Sequence, residues 1–64
     1  MRSSGVYRTD QGLVFRVSET VEGGLKVEVL SEGVWIPGPV AMVGLRLSRS
    51  TKKLGPAAIQ ELPV

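Results

Sequence analysis

The sequence predicts a mainly β protein: a small antiparallel meander or SH3-like barrel of four to five strands with one short C-terminal helix. The prediction depends on two runs of alternating apolar and polar residues, a glycine-rich turn between them, and a Gly-Pro pair near the C terminus. Alternation indicates strands because successive strand residues turn their side chains to opposite faces of a sheet. We expect residues 1–64 to form one small domain, with residues 1–4 disordered.

Two segments carry the strongest strand pattern. Their apolar faces comprise Leu13, Phe15 and Val17 in the first segment, and Leu25, Val27 and Val29 in the second. Residues 19–24 lie between them and end in two glycines, which readily supply the positive φ angles that hairpin loops need. The pattern therefore predicts two half-buried strands joined as a hairpin.

Two shorter strands are predicted at residues 6–9 and 34–36. Residues 9–12 and 31–33 have the polar and glycine composition of the turns that would connect them to their neighbours. Pro37 ends the second of these strands or confines it to a sheet edge, because proline has no amide hydrogen to donate.

Residues 40–48 fit two structures. Val43, Leu45 and Leu47 alternate with other residues as in a strand, whereas the spacing of Val40, Val43 and Leu47 also fits one face of a helix that begins after Pro39. We favour the strand, because Gly44 would weaken the interior of a helix.

The C terminus predicts one short helix. Pro56 stands at the favoured first position, residues 57–62 are mostly good helix formers, and Pro63 ends the run. Leu54, Ile59 and Leu62 would form an apolar stripe that packs over one open end of the sheet.

The chain has no histidine and no cysteine, which removes the commonest catalytic base, the disulfides and the main zinc ligands. Its few carboxylates are scattered among strand and turn positions. We therefore expect no catalytic residues, no metal site, no cofactor and no enzymatic activity. A domain of this size buries only about 60% of its unfolded surface. Small folds often gain stability by oligomerisation, so we expect a homo-oligomer.

No export signal and no apolar run long enough to span a bilayer is visible in the sequence. We therefore expect a cytoplasmic protein with no membrane partner.

The basic residues are concentrated between positions 46 and 53. This segment contains Arg46, Arg49, Lys52 and Lys53 together with three hydroxyl side chains and no acid. Such a composition suits phosphate, since cations neutralise its charge and hydroxyls donate hydrogen bonds to its oxygens. The alternative interpretation is a solvated loop whose charges keep the domain soluble.

Trp35 is the only tryptophan, a residue enriched at the energetic centres of protein interfaces. With Ile36, Val40 and Met42 it would form an apolar contact patch. The alternative is that Trp35 packs on its own domain.

Three functions remain open at this point. The first is a non-catalytic interaction module that self-associates and binds a protein partner through Trp35, Ile36, Val40 and Met42. The second is a nucleic-acid-binding protein that contacts phosphates through residues 46–53. The third is an accessory piece of a larger assembly.

Overall fold

The fold is known from a computed structural model, which describes residues 4–63. Its strands are β1 (Gly5–Thr9), β2 (Val14–Glu19), β3 (Leu25–Ser31), β4 (Val34–Pro37) and β5 (Thr51–Lys53). A 3-10 helix (Val40–Leu47) precedes β5, and one α-helix, α1 (Pro56–Gln60), follows it. The mainly β fold class with one short C-terminal helix is therefore confirmed. Residues 1–4 were expected to be disordered, and residues 1–3 of this stretch lie outside the described residues.

The five strands form one antiparallel sheet in the order β4-β3-β2-β1-β5. Strands β1 to β4 follow each other as a meander, and β5 returns to pair with the free side of β1. Strands β4 and β5 are the two edges of the described sheet, and no pairing within residues 4–63 joins them. The described residues therefore form an open meander, the first of the two predicted forms.

The first two hairpin turns share one design, Thr-x-x-Gly. The amides of Gly12 and Gly23 donate to the carbonyl oxygens of Thr9 and Thr20, at 3.0 and 3.1 Å. In each turn the residue after the glycine donates its amide to the threonine hydroxyl, at 3.2 and 3.0 Å. Both glycines have a positive φ, +90° and +86°, which other residues adopt only at a cost.

The third hairpin turn is tighter. Ser31 pairs with Val34, so Glu32 and Gly33 alone form the loop, with φ angles of 50° and 82°. Two consecutive positive φ angles define a type I′ turn, whose twist matches that of the flanking strands. A side chain at Gly33 would place its Cβ 2.9 Å from the carbonyl oxygen of Pro63, so the C-terminal segment lies against this turn.

The hydrophobic core lies on one face of the sheet. Phe15, Val17 and Val27 are at most 2% exposed, as the alternating pattern predicts. The ring of Tyr7 stacks on that of Phe15, with centroids 5.5 Å apart and planes inclined by 20°. Because the fully buried side chains are so few, the stability of the fold depends strongly on each of them.

The predicted strand at residues 40–48 is wrong. The segment forms the 3-10 helix, and its residues Met42 and Val43 pack against the core cluster. The tight corner before it places Gly38 so close to β3 that a Cβ there would lie 2.9 Å from a methyl group of Val29. This corner turns the chain over the core face. A strand would place Val43, Leu45 and Leu47 together on one buried face, whereas Leu47 is 89% exposed.

A second correction concerns Leu13, which we expected in the core together with Phe15. Leu13 precedes β2 and is exposed, whereas its neighbour Val14 is buried on the face of the sheet opposite the core. Strand β2 is therefore covered on both faces at its first residues.

The C-terminal segment continues from β5. The amide of Leu54 donates to the carbonyl of Val6 at 2.8 Å, and α1 begins at Pro56 as predicted. The three residues of the expected apolar stripe, Leu54, Ile59 and Leu62, are each half-buried. No helix among residues 4–63 has the length and apolar character needed to cross a membrane.

Candidate anion-binding groove

The face of the sheet opposite the core carries charged side chains from neighbouring strands; we call it the charged face. Directly opposed residues of antiparallel strands turn their side chains to the same face. Arg16 of β2 pairs with Glu28 of β3, and Arg8 of β1 pairs with Lys52 of β5. Arg16 and Glu28 each lie next to buried core residues in their strands, so their side chains face away from the core. Arg8 pairs with Val14, two residues before Arg16, so Arg8 and Lys52 share this face.

At the β1–β5 end of this face, three cations line an open groove of about 490 Å³, which we call the basic groove. Arg8 and Lys52 come from paired strands, and Arg49 comes from the loop before β5. Thr9, Asp10, Gly12 and Ser50 complete the lining. The groove thus combines three cations and two hydroxyl side chains with a single carboxylate.

Local turns hold the groove in shape. The Ser48 and Ser50 hydroxyls are 2.9 Å apart, and the amide of Ser50 donates to the Ser48 hydroxyl at 3.2 Å. On the other side, the Thr9 turn fixes the backbone around Asp10. The cations therefore extend from ordered backbone on both sides of the groove.

Within residues 4–63, the side chains of the groove cations have no acidic partner. Both ion pairs in this part of the chain involve Glu28, and the side chains of Arg8, Arg49 and Lys52 make no hydrogen bond or ion pair there. Like charges directly opposite on neighbouring strands destabilise a sheet, so the Arg8–Lys52 pair is unfavourable in the free protein. A bound anion between the two side chains would remove that repulsion.

At the other end of the charged face, the charges satisfy each other; we call Arg16, Lys26, Glu28 and Trp35 the paired cluster. The Arg16 Nε donates to the Glu28 Oε1 at 2.8 Å, and the Lys26 Nζ lies 4.0 Å from the same oxygen. The guanidinium carbon of Arg16 lies 4.3 Å from the centroid of the Trp35 ring, a cation–π contact.

The paired cluster lowers the pKa of Glu28 below its ordinary value. The hydrogen bond from Arg16 is the largest cause, and the positive charges of Arg16 and Lys26 add to it, while partial desolvation of the carboxylate opposes them. Glu28 therefore remains ionised at pH values where a free glutamate begins to take up a proton.

The structure brings together two of the four cations that the sequence predicted as a phosphate site. Arg49 and Lys52 line the basic groove. Arg46 belongs to the 3-10 helix, is half-buried, and donates from its Nε to the carbonyl of Val43 at 3.0 Å. Lys53 pairs with Tyr7 and so lies on the core face, where its side chain reaches Gly5. The segment is also not one loop, because β5 lies within it.

Sequence reasoning missed Arg8 as a member of the site. Arg8 is far from the basic segment along the chain, and only the pairing of β1 with β5 places it beside Lys52. Residues 51–53 are all polar, so no alternating pattern marked them as a strand in the sequence.

The apolar patch predicted around Trp35 is not one surface. Trp35 lies on the charged face under Arg16, whereas Ile36, 44% exposed, lies on the core face beside Val29. Val40 is 59% exposed, and Met42 packs against the core. Ile36 and Val40 thus remain accessible, while Trp35 and Met42 are partly covered by their own chain.

A second open depression of about 760 Å³ adjoins the basic groove and shares Arg8 with it. Val14, Leu30 and Leu62 supply apolar surface there, and Glu32 and Glu61 supply two carboxylates. These carboxylates make the depression a poorer place for an anion than the basic groove.

No group of three or more potential metal ligands occurs within residues 4–63. Comparison of the chain with protein-family models, with curated proteins and with solved structures finds no match.

Proposed function

We propose that this protein is a non-catalytic nucleic-acid-binding protein that contacts the phosphate backbone through the basic groove. The observation that carries the proposal is the convergence of Arg8, Arg49 and Lys52 on one groove, without an acidic partner for any of them within residues 4–63. Arginine and lysine are the usual phosphate contacts of nucleic-acid-binding proteins, and the Thr9 and Ser50 hydroxyls add neutral donors.

The openness of the groove favours a polymer over a small phosphate compound. Arg8, Arg49 and Lys52 are all exposed, and small-molecule sites usually enclose most of the ligand surface. A polymer backbone can pass along an open groove and place successive phosphates beside separate cations. This ligand also agrees with the cytoplasmic location expected from the sequence.

The test is a titration of a labelled nucleic-acid duplex with the protein, followed by fluorescence anisotropy. The wild type is compared with the double variant R49Q/K52Q and with K26Q/K53Q, which removes the same net charge outside the groove. At about 50 mM salt we expect R49Q/K52Q to bind at least tenfold more weakly than the wild type, because two phosphate contacts are lost.

The control variant should stay within about threefold of the wild type, since only the overall charge changes. Two results would contradict the proposal: no binding by the wild type at low salt, or equal losses in the two double variants. Circular dichroism of each variant verifies that the sheet is intact.

We propose self-association as a second function, through the β4 edge. This strand has no neighbour on one side in the described sheet, and its side chains Val34 and Ile36 are 59% and 44% exposed on the same face. Exposed apolar edges favour pairing with another strand. A second copy that pairs along β4 would cover both side chains and present two basic grooves.

Sedimentation velocity tests this second function with the wild type, the edge variant I36K and the control V21K. Val21 lies in a turn away from β4 and is fully exposed, so V21K adds the same charge without touching the edge. We expect the wild type and V21K to sediment as dimers and I36K as a monomer. A monomeric wild type at the highest soluble concentration would exclude self-association and leave phosphate binding untouched.

A further inference from the structure

We infer that the basic groove prefers double-stranded to single-stranded nucleic acid and recognises the backbone without reading the bases. This inference depends on the proposed function and specifies its ligand. It follows from the positions of the three aromatic residues of the chain, Tyr7, Phe15 and Trp35, all within the described residues.

Proteins that bind single strands gain much of their affinity when bases stack on exposed aromatic rings. Phe15 cannot serve, because it is completely buried in the core. Tyr7 stacks on Phe15 from the same face of the sheet and is half-buried. Both rings lie on the core face, whereas Arg8 and Lys52 extend from the opposite face.

Trp35 lies on the same face as the groove, but at the other end of that face, where its ring is already in contact with another side chain. The guanidinium of Arg16 lies over the ring at 4.3 Å from the centroid. The hydrogen bond of 2.8 Å to Glu28 holds that guanidinium in position. A base would therefore have to displace Arg16 from both partners before it could stack on this side of Trp35.

Phosphate contacts are then the main source of affinity, and these favour a duplex. A duplex carries a higher charge density than a single strand. Each neutralised phosphate steepens the slope of the logarithm of the binding constant against the logarithm of the salt concentration by about 0.9 for duplex and about 0.7 for single-stranded DNA. If the two forms bind equally at about 1 M salt, three contacts favour the duplex about sixfold near 50 mM salt.

The experiment compares four probes of two helical turns or equal strand length: a mixed-sequence DNA duplex, the same duplex in RNA, and a mixed and a homopolymeric single strand of DNA. Unlabelled probes compete with a labelled DNA duplex for the wild-type protein. The emission of Trp35, the only tryptophan, is recorded in a parallel titration, because a base that stacks on the ring quenches it.

We expect at least one duplex to compete about sixfold better than either single strand, with no quenching of Trp35 by any probe. The better duplex arm identifies DNA or RNA as the preferred form. Equal or tighter binding of a single strand, or quenching of Trp35, overturns this inference while the proposed function stands. Failure of every probe to bind overturns both.

Discussion

Arg8 and Arg16 lie on the same face of the sheet and on neighbouring strands, but the residues opposite them differ. Arg16 faces Glu28 and covers Trp35, so its charge is balanced within the fold. Arg8 faces Lys52, and Arg49 lies nearby. The cross-strand partner therefore decides what a cation does: beside a carboxylate it stabilises the sheet, and beside another cation it is available to an external anion.

The first prediction concerns the core that supports both arginines. Phe15→Ala should cost about 3–5 kcal/mol through lost burial and an unfilled cavity. A domain of this length has a total free energy of unfolding of only about 3–10 kcal/mol, so the variant should be largely unfolded and neither cluster should form. Circular dichroism and urea titration measure this. Phe15→Leu is the control and should remain folded; a Phe15→Ala variant with wild-type stability would contradict the described core.

The second prediction compares the turn at each end of the charged face. Gly12 and Gly33 have similar positive φ angles, which cost other residues about 1–2 kcal/mol. A Cβ at Gly12 meets no atom within 4 Å, whereas one at Gly33 meets the Pro63 carbonyl oxygen at 2.9 Å. Gly33→Ala should therefore lower the free energy of unfolding more than Gly12→Ala in urea titrations. Equal losses would show that the C-terminal segment does not pack on Gly33.

The third prediction sets the two clusters directly against each other. Arg16→Gln loses an ion pair and a cation–π contact and should lower the Tm by about 4–8 °C. Lys52→Gln relieves repulsion of Arg8 and should raise the Tm by about 1–4 °C while nucleic-acid affinity falls. Thermal unfolding scans in low salt show whether each substitution raises or lowers the Tm. A lower Tm for Lys52→Gln would mean that the groove is not electrostatically strained.

The fourth prediction is the pH dependence of the paired cluster. Because Arg16 lowers the pKa of Glu28 in the folded state, the carboxylate adds stability that is fully present above the ordinary glutamate pKa of 4.5. That contribution disappears as the pH falls through the lowered folded-state pKa. Urea titrations of the wild type and Glu28→Gln between neutral and acidic pH should converge in this range. A constant difference at all pH values would contradict the shift.

Much of the sheet could be predicted from the sequence because its signals are local. The alternation around Phe15 and Val27 identified β2 and β3, and the glycines at their ends identified the turns. A helix was the less favoured of the two interpretations of residues 40–48, because Val43, Leu45 and Leu47 alternate as in a strand and only the corner at Gly38 decides their path.

The site was less predictable than the fold because it depends on contacts between distant segments. Arg49 and Lys52 stand out as charges in the sequence, but their connection to Arg8 follows from the pairing of β1 with β5. Trp35 was interpreted as an interface residue because its intramolecular partner, Arg16, lies two strands away. Composition suggests which residues carry chemistry, and only the strand register shows which of them meet.

The most direct test of the basic groove is the salt dependence of duplex binding. Three phosphate contacts predict a slope of about −2.7 when the logarithm of the association constant is plotted against the logarithm of the salt concentration. Lys52→Gln should reduce the magnitude of this slope by about 0.9, because one contact is lost, whereas Lys53→Gln, on the neighbouring residue but the opposite face, should leave it unchanged. Equal slopes for all three proteins would contradict the groove as the phosphate-binding site.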